Sequence, residues 1–271
     1  MSRRHKKGSH GEHPFDRYEY YRLAVQSAES DVEFYRDTYK SIRGKTPQVF
    51  REDFCGTFGL SCEWVKLNKS FKSVGVDLDP DPLAYGREHY FSKLTPEQQS
   101  RVTIVQKDVL SPQLPKADII AAANFSYFVF KTRLRMKEYF LRARKSLNRE
   151  GLFVIDCFGG SLCQDGNEES TRHKKFTYYW EQVDFDPVTH RAHFNIHFRP
   201  HGKPKAERVF SYDWRMWTIP ELRDILEEVG FKKTTVYWEG TKKDGSGNGV
   251  FRPVTEGEPC LSWIAYVVAE V

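Results

Sequence analysis

The sequence predicts an open, mostly parallel α/β sheet with an antiparallel insertion, and three observations predict it. Five strand-like runs alternate with helical stretches between residues 48 and 157. The small apolar run Ala117 to Ala123 reads as a strand buried on both faces. From Phe176 onward, strand-like runs are joined by turn signals instead of helices.

Residues Phe15 to Ile42 read as one helix, because Tyr18, Tyr21, Val25, Val32, Tyr35 and Tyr39 recur at mostly helical spacing; Gly44 and Pro47 end it. Gln48 to Glu52 is the first strand and leads through Cys55-Gly56-Thr57 into a helix from Gly59 to Leu67. Phe71 to Val76 is the second strand, and Asp81-Pro82 starts the next helix with an acid at the cap and proline in the first turn. Arg101 to Gln106 and Ala117 to Ala123 follow as strands three and four, closing on Asp108 and Asn124. A basic amphipathic helix spans Lys131 to Leu147, with Gly151 as its C-terminal glycine before strand five, Leu152 to Cys157. Phe176 to Phe185, Arg191 to Arg199 and Ala206 to Trp214 form the insertion, turning at Asp186-Pro187 and His201-Gly202. Thr218 to Glu221 is a capping box opening a last helix, and Phe231 to Trp238 and Leu261 to Val268 close the sheet around a glycine-rich loop, Gly240 to Gly257.

At 271 residues the chain is long enough to bury a sizeable core. Of the net charge of +5, four positive charges (Arg3, Arg4, Lys6, Lys7) lie in ten residues without an acid, so the rest of the chain is near neutral. Residues 1–14 read as a disordered basic tail ahead of a single domain, 15–271, which comprises a helical lid at 15–44 and the insertion at 172–216. No apolar run is long enough for a membrane span or a secretory leader, so the expected compartment is the cytoplasm. The five cysteines are odd in number and lack C-x-x-C spacing, which argues against a disulfide framework, and no metal site is expected.

The segment Gln48 to Pro80 carries the function. Strand, small-residue turn, helix and a second strand ending on Asp77 make the βαβ unit that presents a carboxylate to ribose hydroxyls. A dinucleotide would need several bare amides around its pyrophosphate, and this turn offers Gly56 and Gly59 with Phe54 and Phe58 beside them. The chain here resembles the class I S-adenosylmethionine-dependent methyltransferases. Glu52 to Gly59 matches their first motif at the acid and the central glycine, while Phe54 replaces one glycine and the last is displaced. Gly75-Val76-Asp77, Lys107-Asp108-Val109 and Asn124 match the later motifs in order.

The resemblance implies a Rossmann-like, seven-stranded methyltransferase sheet, mostly parallel with the last strand antiparallel, and the antiparallel insertion after strand five. It also implies S-adenosylmethionine as cofactor. Glu52 would anchor the methionine ammonium, Cys55, Gly56 and Thr57 would form the turn beside it, Asp77 and Leu78 would meet the ribose and adenine, Asp108 and Val109 the adenine, and Asn124 would close the site. Tyr21, on a helix that covers the donor site in such proteins, is a further contact candidate.

For the acceptor, Asn124-Phe125-Ser126-Tyr127 partly resembles the Asn-Pro-Pro-Tyr motif of enzymes acting on bases, but lacks both prolines. A small-molecule nitrogen or oxygen nucleophile is therefore favoured over nucleic acid, and a non-catalytic binding protein is a third reading. Candidate catalytic groups are Tyr127, Tyr179, His193 and His197. His193, Asn195, His197 and Arg199 share one strand face, which reads as solvated. Tyr178, Tyr179, Trp180 and Glu181, with Trp214 and Arg215, give the insertion aromatic and acidic character suited to an amine.

Overall fold

Two helices, not one, precede the sheet in the computed structural model, which describes residues 15–242 and 247–271. Helix α1 (Arg17–Val25) is capped by Asp16, which accepts the Tyr18 and Glu19 amides at 3.1 and 2.9 Å. The chain extends at Gln26 and re-enters helix as α2 (Ala28–Arg43). The break follows from packing. Tyr20 and Tyr21 of α1 meet Phe176 and Phe210 of the insertion, whereas Tyr35 of α2 stacks on Phe50 of the main sheet, and one straight helix does not follow both surfaces. Gly44 ends α2 at φ 66° and returns its N–H to the Lys40 carbonyl.

The parallel part then runs β1 (Val49–Asp53), α3 (Gly59–Leu67), β2 (Lys72–Asp77), α4 (Pro80–His89), the short α5 (Pro96–Gln99), β3 (Val102–Gln106), β4 (Ala117–Ala122), α6 (Arg133–Lys145) and β5 (Leu147–Gly159). The cap of α4 is Asp79, two residues before the expected Asp81, with Pro80 opening the helix. Gly151 does not terminate α6, which ends at Ser146. It lies inside β5, where the register against β4 slips, because Leu147 already pairs with Ala117.

The insertion is a four-stranded antiparallel meander: β6 (Asn167–Arg172), β7 (Phe176–Gln182), β8 (Arg191–Pro200) and β9 (Ala206–Arg215). It begins at Asn167, ahead of the expected 172, since the wholly polar run Asn167–Arg172 carries no alternation to betray a strand. Helix α7 (Ile219–Glu228) has the Thr218/Glu221 capping box, and β10 (Lys233–Thr241), β11 (Gly247–Val254) and β12 (Trp263–Glu270) complete the main sheet.

That sheet has eight strands, in the order β11-β10-β12-β5-β4-β1-β2-β3. The extra strand, β11, comes from the glycine-rich loop. It lies at the edge, a position that tolerates Pro253. Strands β1 to β5 are parallel, and β12 is antiparallel to both its neighbours. Alternate β5 residues feed two cores, Phe153 and Ile155 on one face and Leu152 and Val154 on the other. The basic tail lies outside the described residues.

Candidate functional site

The turn after β1 accommodates its two phenylalanines by sending both side chains out of the loop. Phe54 and Phe58 take left-handed backbone conformations, φ 57° and 46°, at a cost of roughly 1–3 kcal/mol each. Phe58 is fully buried over Gly86 of α4, where a Cβ would stand 2.5 Å from its ring and 2.3 Å from the Thr57 carbonyl. Phe54 turns to the other core, its ring 5.9 Å from Phe130 and 5.5 Å from Tyr139. Gly56, at φ 50°, is left with open space where a side chain would stand.

Asp77, half-buried at the end of β2, accepts the Gly56 amide on Oδ2 at 2.7 Å and the Asp79 amide on Oδ1 at 2.9 Å. Each oxygen keeps acceptor capacity for a hydroxyl. Leu78 beside it is 64% exposed, an uncovered apolar surface. Asp108 is exposed and accepts the Leu110 amide at 2.8 Å. The Val109 and Cys55 side chains are buried, so they offer a ligand backbone atoms only, and Thr57 is half-buried.

Glu52 behaves differently from an exposed anchor. It is 4% exposed, and Oε2 accepts both the amide and the hydroxyl of Ser61 in the first turn of α3, at 2.9 and 2.7 Å. Burial pushes its pKa up to about 8, against the pull of the Ser61 hydrogen bonds, and the charges of Asp77 and Asp31 add to the rise.

Beside β1 on the same sheet, over the ends of β4, β5 and β12, lies a cleft of about 660 Å³. Its floor is the ends of β4, β5 and β12, with β10 and β11 beside them, its roof α1 and the start of α2, and its far wall the insertion. Asn124 and Phe125 both sit at φ 56° and donate their amides to the two oxygens of Asp156, at 2.6 and 2.9 Å. Burial pushes Asp156 up to about 7 against those two hydrogen bonds, and Asp31 adds to the rise. Asp31 itself is raised to about 6 by burial, although it accepts the Tyr266 hydroxyl at 3.1 Å. Tyr21 reaches the cleft from α1, its hydroxyl pushed up to about 12 by burial.

No family model matches the sequence, and no curated protein matches it either. Solved structures do. An S-adenosylmethionine-dependent methyltransferase from Clostridium acetobutylicum is 15% identical over 94% of this chain and 96% of its own, with a TM-score of 0.66. An amino pentose methyltransferase from Micromonospora echinaspora is 15% identical over 96% and 99%, with a TM-score of 0.66. A sugar N-methyltransferase from Streptoalloteichus is 15% identical over 100% and 98%, with a TM-score of 0.63. The chain has the S-adenosylmethionine-dependent methyltransferase fold.

On this methyltransferase fold the donor candidates gather where the sequence placed them, at the ends of β1, β2 and β3. Two observations bear on whether they suit such a cofactor. Asp77 holds two oxygens ready beside the uncovered Leu78, as a ribose and an adenine face require. Buried Glu52 is held near neutrality by desolvation, a state that a cationic group alongside it would relieve. Asn124 and Tyr21 line the cleft rather than this shelf.

The structure does not bring the four catalytic candidates to the cleft. Tyr127 is fully buried, donating its hydroxyl to the Asp156 carbonyl at 2.6 Å. Tyr178, Trp180 and Ile196 face the cleft, so strand alternation puts Tyr179, His193 and His197 on the opposite face of the insertion. There Lys205 lies 4.3 Å over the Tyr179 ring, and the His193 ring is 3.0 Å from Asp184. His197 is 3% exposed, against the solvated face expected, because Glu181 and the Arg208 amide enclose its ring nitrogens at 3.1 and 2.9 Å. Sequence reasoning missed Asp31, Asp156 and Tyr212. Asp156 had a signal, a lone acid in the apolar run Leu152 to Phe158, and Asp31 a fainter one, four residues before buried Tyr35 on the same helix face.

Proposed function

We propose that the protein is an S-adenosylmethionine-dependent methyltransferase whose acceptor is a small-molecule nitrogen or oxygen nucleophile. The observation that carries this reading is the adjacency of two halves on one sheet: the Asp77–Gly56–Leu78 shelf after β1 and β2, and the 660 Å³ cleft that begins at the end of β4, the strand paired with β1. When bound, S-adenosylmethionine supplies an electrophilic methyl on a sulfonium, so the protein's task is mainly alignment and exclusion of water. Asp77 fixes the donor's ribose, Gly56 lets the donor approach the backbone, and α1 roofs the acceptor side. Neighbours named for amino pentose and sugar N-methylation favour a small acceptor, and the cleft is of a size for one.

The test is turnover. Incubation with S-adenosylmethionine and a fractionated small-molecule pool is expected to release S-adenosylhomocysteine and to yield a product heavier by one methylene, with neither formed by Asp77→Ala. Release no faster than the enzyme-free blank in every fraction contradicts the reading. Bound RNA methylated in preference to all small-molecule fractions contradicts the small-molecule assignment.

A further inference from the structure

The charged residues lining the cleft are Asp31, Asp156, Glu169 and Glu239, and among the described residues no lysine, arginine or histidine lines it. This is so in a chain whose net charge is +5. An anionic acceptor would meet four acids and, among the described residues, no compensating cation. A neutral one would leave the buried Asp156 and the half-buried Asp31 with hydrogen bonds but no positive charge beside them, an arrangement that costs free energy.

Aromatic side chains of the insertion line the cleft as well. Tyr212 and Trp214 stack at 4.4 Å, and Trp180 stands 6.1 Å from Trp214. All three belong to the insertion's inner face, opposite Asp31 and Asp156 on the main domain. Ring faces on one side and carboxylates on the other are the two elements that together recognise an organic cation. The position along the cleft is also set. Asp31 sits one helical turn before Tyr35, which stacks on Phe50 of the donor strand β1, while Asp31 itself lines the cleft. Asp31 therefore lies at the boundary where the two halves meet.

We propose that the acceptor is an alkylamine that enters as its ammonium, held between Asp31 and Asp156 against the Trp180–Trp214 wall at the donor boundary. This rests on the methyltransferase reading above. The ammonium supplies a positive charge to the two carboxylates, and the aromatic wall covers its carbon skeleton; before transfer it gives one proton to a carboxylate, which frees the nitrogen lone pair to take the methyl as the donor's S–C bond breaks. A hydroxyl compound of the same shape gains the wall but not the charge pair.

Two probes of matched shape test it on the full chain: 2-phenylethylammonium and 2-phenylethanol, titrated calorimetrically with and without S-adenosylhomocysteine. The ammonium is expected to bind at least about tenfold more tightly, one charge pair's worth of discrimination. Asp31→Asn and Asp156→Asn are each expected to remove most of that preference while leaving the alcohol's affinity unchanged, an effect that general loosening of the fold would not produce. Should Asp156→Asn fail to fold because Asp156 holds the Asn124–Phe125 turn, Asp31→Asn decides alone. No binding of the ammonium, equal binding of the two probes, or an undiminished preference in Asp31→Asn overturns the proposal. S-adenosylhomocysteine binding in the same samples separates the two readings: if it binds while the probes are not distinguished, only the amine assignment falls; if it does not bind, the donor assignment falls.

Discussion

The two halves of the site are built by opposite means. In the donor half, most of the groups come from one contiguous segment, Val49 to Leu78, and are fixed by short hydrogen bonds such as Gly56 N–H to Asp77 at 2.7 Å. In the acceptor half, Asp31, Asn124, Asp156, Trp180 and Trp214 come from α2, the loop after β4, β5, β7 and β9. The first is a local motif, and the second exists only once distant elements have packed. A change in the donor half should therefore act on binding at one carboxylate, whereas the acceptor half should respond through packing and charge.

The largest expected effect is at Asp77. Asp77→Ala removes two charge-assisted hydrogen bonds to a ribose, about 1.5–3 kcal/mol each, so donor affinity should fall by roughly 100-fold or more. Its melting temperature should move by only a few degrees, since the side chain is half-exposed. An unchanged donor affinity would break the contrast between a local binding motif and an assembled cleft.

Next in size is Phe58. Its ring fills the space over Gly86, so Phe58→Ala should cost about 3–5 kcal/mol of stability in urea unfolding. Relief of the left-handed backbone strain is smaller, about 1 kcal/mol, and alanine relieves little of it. A loss below about 1 kcal/mol would show that Phe58 does not anchor the loop to the core.

The fold was largely legible in the sequence because its signals are local: strand runs, the capping box at Thr218, and acids at strand ends. Strand β11 was not, since glycines and Pro253 conceal an edge strand that needs only one partner. The break at Gln26 was not, because two separate packing surfaces impose it on a continuous helical pattern. The donor carboxylate Asp77 could be read from spacing along a single segment. Asp31 and Asp156 could not, because their shared cleft joins residues 125 positions apart in the chain. The histidines of β8 misled for the same reason: alternation gives two faces, and only tertiary packing decides which one meets the cleft.

Acidity offers a finer test of the coupled carboxylates. Glu52, Asp156 and Asp31 are raised by burial to about 8, 7 and 6 from ordinary values of 4.5, 3.8 and 3.8. Between its ordinary and raised values each group holds more protons in the folded state than in the unfolded chain. Their contribution to stability is therefore fully present below their ordinary values and is lost as pH rises toward about 8, by at most ~1.4 kcal/mol per pH unit per group. Melting temperatures of the ligand-free protein should decline from pH 5 to pH 8, and a flat or rising profile would contradict the buried, uncompensated state of these acids.

The smallest expected effect is at His193. It is half-exposed on the outer face of the insertion and paired with Asp184, so His193→Ala should leave kcat within about twofold of wild type once an acceptor is in hand. A larger loss of kcat with unchanged stability would place the outer face in the reaction.

The central claim is that the β1–β2 shelf binds an adenosine joined to an amino acid, and calorimetric titration with S-adenosylhomocysteine tests it most directly. The wild type should bind with a dissociation constant on the order of micromolar, as pairs of charge-assisted hydrogen bonds with a covered apolar face support, and folded Asp77→Ala should bind roughly 100-fold more weakly or worse. No binding to folded wild type at ligand concentrations on the order of a millimolar, or equal binding by wild type and Asp77→Ala, would contradict it.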